Sequence, residues 1–187
     1  MPTIVHEFAW PDRVVVGTIG NPGERSFYLQ VRTGRQIVSV GLEKQQSALL
    51  SEKIEEILDQ LMTSDGNPFS VPANTPIELV DNDPLEQPVD EQFRTGAIGL
   101  GWDASTSQLV IELYPVVDDS SDLPDPLESL ETLNEPAEML IVRIPVGTAR
   151  AFTKRTREIV GAGRPMCPLC GQPMDASGHV CAEPDTF

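Results

Sequence analysis

Four metal-ligating side chains lie close together near the end of the chain. Cys167 and Cys170 enclose two residues and precede Gly171, and His179 and Cys181 follow after a short turn-forming stretch. A Cys-x-x-Cys pair forms a tight knuckle whose sulfurs face one ion, and alternate residues of an extended segment project to the same side. The spacing therefore predicts a tetrahedral site of three thiolates and one imidazole.

This ligand set predicts a structural metal. Four protein ligands leave no position for water, which a catalytic zinc requires. We expect one zinc ion, with an iron centre or a redox-active thiol pair as the alternatives. All three cysteines belong to the group, and an odd number in one short segment does not fit a secreted disulfide framework. The tail is too short to build a core, so we expect metal to fold it.

The same ligand set also occurs in zinc knuckles that bind single-stranded nucleic acid. Such binding uses aromatic platforms, which this tail lacks. The formal charge of −16 also repels phosphate backbones. Nucleic acid is therefore not an expected partner.

Motifs for catalysis are missing from the sequence. It contains no Gly-x-Ser-x-Gly elbow, phosphate-binding loop or dinucleotide-binding glycine motif. His6, beside Glu7, is the one remaining candidate base. We expect no catalytic residues, and a non-catalytic binding or adaptor protein is the leading interpretation. The alternative is a small-molecule or phosphoryl-handling enzyme with a pocket between two halves, using Arg13, Arg25 and Arg94.

The elements that must carry these residues begin with four segments rich in Val, Ile, Phe and Tyr, separated by turn residues. They cover residues 3–9, 12–19, 26–32 and 35–41. Their short connections predict an antiparallel meander. Apolar residues then recur at helical spacing, which predicts a helix over 43–62.

The second half repeats this plan. Gly96-Ala97-Ile98-Gly99 is similar to Gly17-Thr18-Ile19-Gly20, strands are predicted near 109–113 and 139–144, and a helix near 148–161. The pattern predicts an α+β fold with one or more antiparallel sheets, built from two strand-strand-strand-helix halves by internal duplication. We expect a domain over 1–162, with halves at about 1–75 and 92–162, and a zinc-binding tail over 163–187.

Acidity is concentrated in the middle of the chain. Residues 78–138 hold 16 acids and one base, mostly in the proline-rich stretches 78–91 and 117–138. Proline blocks helix, so both stretches are predicted to be mobile loops. Such loops can keep the protein soluble, dock a basic partner or neutralise a basic helix.

The second predicted helix carries a basic stripe of Arg150, Lys154 and Arg157, with Arg155 and Arg164 nearby. The stripe can grip a phosphate or an acidic peptide, or it can be a solvated face neutralised in part by the acidic loops. For an adaptor, the first contact residues would be Trp102-Asp103, Arg164-Pro165 and Pro168-Leu169.

The sequence also predicts a cytoplasmic location. No apolar run approaches the ~20 residues of a membrane-spanning helix. The first residues lack the basic flank and apolar stretch of a signal peptide. We therefore expect a soluble protein with no membrane span.

Several segments are similar to one known family over almost the whole chain. They are residues 8–17, 23–30, 42–46, 93–103 and 162–170. Through them the chain resembles the actinobacterial domain-of-unknown-function family 3090, which implies no activity. Genes of that family neighbour those of a phosphatase-like phosphomutase and a lipid-kinase-like protein, which implies a protein partner. The chain departs from the family after Cys181, so a role for a basic family terminus does not carry over.

Overall fold

The structure is a computed structural model that describes residues 4–21, 23–116, 138–163, 167–172, 174 and 178–181. These described residues form seven strands and two α-helices, with a 3-10 turn at Ile77–Leu79. In order they are β1 (Ile4–Ala9), β2 (Arg13–Ile19), β3 (Ser26–Thr33), β4 (Gln36–Leu42), α1 (Lys44–Thr63), β5 (Glu91–Asp103), β6 (Gln108–Pro115), β7 (Glu138–Pro145) and α2 (Val146–Gly161).

All seven strands form one mixed sheet in the order β1-β7-β6-β5-β4-β3-β2. β2-β3-β4 and β5-β6-β7 are antiparallel meanders, whereas β4 pairs with β5 and β7 pairs with β1 in parallel. The predicted α+β class is therefore confirmed, and the sheet is mostly antiparallel. The prediction that the first strand opens the first meander is wrong, because β1 pairs with β7.

The two edge strands are joined by only three residues, Trp10–Asp12. In a flat sheet the edges would lie ~29 Å apart at about 4.8 Å per strand, whereas this linker reaches at most ~15 Å. The Trp10 N–H donates to the Arg143 carbonyl on β7 at 3.1 Å, and the Asp12 N–H donates to the Arg32 carbonyl on β3 at 2.8 Å. The sheet therefore curls and brings its two edge strands, β1 and β2, within reach of this short linker.

Both helices contribute to a single hydrophobic core with the strands. Leu50, Ile54 and Leu58 of α1 and Phe152 of α2 are buried against apolar side chains from the sheet. Helix α1 begins with a capping interaction in which the Glu43 N–H donates to Gln46 Oε1 at 2.8 Å. Burial of this shared core fixes the helices on the sheet, since apolar area removed from water contributes about 25 cal/mol per Å².

The order strand-strand-strand-helix occurs twice, from β2 to α1 and from β5 to α2. The glycine segments that suggested the repeat are not equivalent in position. Thr18 pairs opposite Phe27, whereas Ile98 pairs opposite Leu113, at the other end of the second strand. The two plans match in topology, and duplication of an ancestral sequence stays a prediction.

The acidic stretch 78–91 packs on the body, contrary to the mobile loop that was predicted. Leu85 is buried, and the Glu86 N–H donates to Gln30 Oε1 at 2.9 Å while Gln30 Nε2 donates to the Glu86 carbonyl at 3.1 Å. Apolar burial and backbone pairing hold this stretch in place despite its prolines. The stretch 117–137 lies outside the described residues.

Gly17 lets Leu85 approach the sheet. A Cβ at Gly17 would lie 2.5 Å from Leu85 Cδ2, whereas a Cβ at Gly101 would meet nothing within 4 Å. We expect Gly17→Ala to lower the free energy of unfolding by about 1–3 kcal/mol through overpacking, and Gly101→Ala to change it by less than about 0.5 kcal/mol. Urea unfolding measures both, and Leu85→Ala should reduce the additional cost of Gly17→Ala. Equal effects of the two alanines would contradict this packing.

Candidate metal centre

The four predicted ligands come together in the structure. Their ligand atoms all lie within 4.8 Å of one another, with Cys167 Sγ 3.8 Å from Cys181 Sγ and Cys170 Sγ 3.1 Å from His179 Nε2. Around a tetrahedral zinc with Zn–S bonds of 2.3 Å, two sulfurs lie roughly 3.8 Å apart. The donor set therefore fits one ion, and the group could hold a metal.

The backbone of the knuckle is closed by its own hydrogen bonds. The Gly171 N–H donates to the Cys167 carbonyl at 2.9 Å, and the Cys167 N–H donates to the Gln172 carbonyl at 2.8 Å. Gly171 has a φ of 69°, in the left-handed region that glycine adopts without strain. The glycine after Cys170 therefore turns the chain so that both sulfurs face the same point.

Hydrogen bonds set the ionisation of the thiols. The backbone amides of Cys170 and Leu169 donate to Cys167 Sγ and lower the pKa of this thiol to about 7. The pKa of Cys181 is raised to about 11, by its contact with the Cys170 thiol and then by burial. Because metals bind the thiolate, binding at this centre must displace protons from the cysteines.

Two apolar side chains project from the metal-binding segments. Leu169 lies between the first two cysteines and is 80% exposed, and Val180 lies between His179 and Cys181 and is 94% exposed. Cys167, by contrast, is buried. The cluster therefore presents apolar residues outward while its ligands point inward.

The basic stripe predicted on α2 is neutralised by acidic residues of the protein itself, which lie on α1 and α2 and not in the acidic loops. Arg150 is only 5% exposed, and its guanidinium donates to Asp59 Oδ1 and to the Pro72 carbonyl, each at 2.8 Å. Arg157 pairs with Glu55, and Lys154 with Glu158. Arg150 and Arg157 therefore pair with acidic residues of α1, and Lys154 pairs within α2, so each of the three charges already has a partner in the protein.

A second buried network was not predicted from the sequence. Arg155 is 8% exposed and donates to the Val16 carbonyl at 2.9 Å and to Asp81 Oδ1 at 3.2 Å. Arg13 donates to both oxygens of the same carboxylate, at 2.7 and 3.1 Å. The Arg13 hydrogen bond holds the pKa of Asp81 below its usual value. The sequence signal was the position of Asp81 in the acidic stretch, with no indication of its partner.

The three arginines of the enzyme interpretation do not converge on a pocket. Arg13 binds Asp81, Arg25 donates to the Ile159 carbonyl at 3.0 Å, and Arg94 pairs with Glu43. Each guanidinium therefore stabilises the fold through a different element.

The remaining predicted residues are dispersed. His6 Nε2 lies 2.7 Å from Oε1 of Glu138, the first residue of β7, while the neighbouring Glu7 pairs with Arg143. Trp102 packs edge-on against Phe69 with ring centroids 4.9 Å apart. Arg164 and Pro165 lie outside the described residues.

Within the described part of the chain, no helix is long and apolar enough to cross a membrane.

Comparison with known proteins gives one match. A family model described as "Protein of unknown function (DUF3090)" matches residues 6–181. That range includes both helices, the whole sheet except its first two residues, and all four residues of the metal cluster. No curated protein and no solved structure matches the chain.

Proposed function

The chain belongs to the DUF3090 family of proteins of unknown function, and we propose that it is a binding or adaptor protein whose zinc-folded tail is the contact element. The observation that carries the proposal is the closed ligand set with its apolar tip. Three cysteines and one histidine can fill every position around one ion. A metal held in this way supports structure, because no position is left for a reacting water.

The exposed tip supplies the contact surface in this proposal. Leu169 and Val180 are each flanked by metal ligands, so a bound ion would fix their backbones and reduce the entropy lost on binding. Apolar residues held rigidly in solvent are suited to a protein partner with an apolar pocket. The partner that we propose is therefore a protein.

A cytosolic location belongs to the same proposal. The three cysteines are free thiols in the structure. Thiols stay reduced, and available to a metal, in the cytosol rather than in oxidising compartments.

The test is quantitative affinity purification of the tagged full chain from its native cells. We expect a partner to be enriched with the wild type and to fall about tenfold with Leu169→Ser/Val180→Ser, a loss of about 1.4 kcal/mol. The double variant keeps all four ligands, so its zinc content, measured by mass spectrometry, should be unchanged. Ile77→Ser removes an equally exposed side chain elsewhere and is the control. Equal recovery by all three proteins, or no partner at all, would refute the proposal.

A further inference from the structure

The two halves of the sheet can be aligned on their middle strands, β3 and β6, which are both eight residues long and have Leu29 and Ile111 as their fourth residues. In the first half, Leu29 pairs with Val16 on one side and Val40 on the other. In the second half, Ile111 pairs with Leu100 and Val142. Val16 and Leu100 therefore occupy equivalent places in the fold.

The helices correspond in the same way. Each begins three residues after the last residue that its preceding strand pairs with the parallel neighbour, which is Gly41 in β4 and Arg143 in β7. Four buried positions of α1 have buried equivalents in α2, namely Ser47 with Ala149, Leu50 with Phe152, Ser51 with Thr153 and Ile54 with Thr156. By this alignment, Lys53 of α1 occupies the place of Arg155 in α2.

We use the word seam for the gap between a helix and the first strand of the other half's meander. The seam between α2 and β2 is filled by other residues of the same chain. Arg155 binds the Val16 carbonyl of β2 and the Asp81 carboxylate, and its Nη1 also donates to the Asp81 carbonyl at 2.8 Å. Leu79 and Asp81 line what remains of the seam, a cavity of about 190 Å³. Leu85 follows on the outer face, against Gly17. An aspartate between two leucines therefore closes this seam.

The equivalent seam between α1 and β5 is open in the described part of the chain. It forms a groove of about 420 Å³ whose lining includes Leu49, Lys53, Ile57, Ile98 and Leu100. Leu49 is 54% exposed within it. Lys53 pairs only with Glu56 on its own helix among the described residues.

In the open seam, the position that corresponds to Leu85 is open as well. The alignment that equates Val16 with Leu100 equates Gly17 with Gly101. A Cβ at Gly101 would meet no described atom within 4 Å, whereas the corresponding position at Gly17 is covered by Leu85. The open seam therefore offers a cation and two apolar places in the same arrangement as the filled one.

We propose that the groove between α1 and β5 binds an extended segment of a partner protein that carries an aspartate between two leucines. The aspartate of the partner segment pairs with Lys53, as Asp81 pairs with Arg155. One leucine occupies the apolar groove, and the other covers Gly101 as Leu85 covers Gly17. The residues that fill the first seam indicate the chemistry of the segment that would fill the second. The positive charge of Lys53 complements the negative charge of its aspartate. None of the residues that line this groove belongs to the metal cluster, and the proposal does not depend on the function proposed for the tail.

The test uses a fluorescent synthetic peptide with the sequence of residues 76–88, titrated with the full chain and followed by anisotropy. We expect a Kd on the order of 10⁻⁵–10⁻⁴ M. Lys53→Glu should weaken binding at least tenfold, because it places a like charge against the peptide aspartate. Arg35→Glu makes the same charge change at the exposed turn between β3 and β4, and should leave the affinity unchanged. A peptide in which asparagine replaces the first aspartate should bind the wild type more weakly than the original peptide does. The same replacement should not lower the affinity for Lys53→Glu.

Three results would overturn the proposal. The first is no binding to the full chain. The second is binding that Lys53→Glu does not weaken, as would follow if the peptide exchanged with the chain's own segment beside Arg155. The third is binding only to a variant in which residues 118–136 are replaced by a short Gly-Ser linker, which would make the protein's own acidic stretch the occupant. Thermal melting of each variant shows whether a lost signal reflects unfolding.

Discussion

Cys170→Ser is expected to cost the protein its metal and the folded state of its tail. Cys170 Sγ lies against His179 in the ligand cluster. Structural zinc sites contribute about 10–16 kcal/mol of apparent binding free energy, and a serine hydroxyl does not replace a thiolate at neutral pH. Native mass spectrometry after dialysis against metal-free buffer should show about one zinc ion per wild-type chain and less than about 0.1 per variant chain.

The matched control for this experiment is Leu169→Ser, which changes the neighbouring, exposed residue and keeps every ligand. Its zinc content should equal that of the wild type. Limited proteolysis should cleave Cys170→Ser near residue 163, while the melting transition of the sheet and helices stays within a few degrees of that of the wild type. Full zinc retention by Cys170→Ser would contradict the four-ligand assignment.

Asp81→Asn is expected to destabilise the body of the protein strongly. One carboxylate accepts hydrogen bonds from the Arg13 and Arg155 guanidiniums, whose side chains are 11% and 9% exposed. An amide leaves two largely buried cations uncompensated, and removing one partner of such a network costs about 3–5 kcal/mol. We expect about 3 kcal/mol by urea unfolding, since Asp81 is itself partly exposed.

Asp83→Asn is the control for this change, because the Asp83 side chain is exposed and only its backbone takes part in the network. It should alter the free energy of unfolding by less than about 0.5 kcal/mol. If the two asparagine variants were equally stable, the buried network would not be holding the stretch 78–91 on the body.

The same carboxylate predicts an acid dependence of stability. The pKa of Asp81 is lower in the folded chain than in the unfolded chain, first because of the Arg13 hydrogen bond. Its contribution is therefore complete above about pH 5 and is lost as the pH falls below about 4, toward the folded-state pKa. As the pH falls from about 4 toward the folded-state pKa of Asp81, the stability of the wild type should fall more steeply than that of Asp81→Asn.

The strands and helices were predictable from the sequence because their signals are local. The apolar spacing of Leu50, Ile54 and Ile57 specifies a helix without reference to the rest of the chain. The pairing of β1 with β7 joins residues at opposite ends of the domain, such as Phe8 and Val142. No turn signal records such a contact, so the short linker to β2 indicated a meander instead.

The metal cluster was also predictable, since the four ligands lie within one short segment and their spacing constrains the geometry. The arginines of α2 were not. Helical spacing places Arg150 and Lys154 on one polar face, but only tertiary packing shows that Arg150 is covered by Asp59 and Pro72. A helix pattern distinguishes apolar from polar faces and does not show which polar face meets another helix.

The most direct test of the account is X-ray absorption at the zinc edge on the purified full chain. A closed site of three cysteines and one histidine should give three sulfur ligands at about 2.3 Å and one nitrogen ligand at about 2.0 Å, with no oxygen bound to the zinc. Such a result would establish a closed, structural site formed by Cys167, Cys170, His179 and Cys181. Protein that contains no zinc, or zinc with fewer than three sulfur ligands and a bound water, would contradict it.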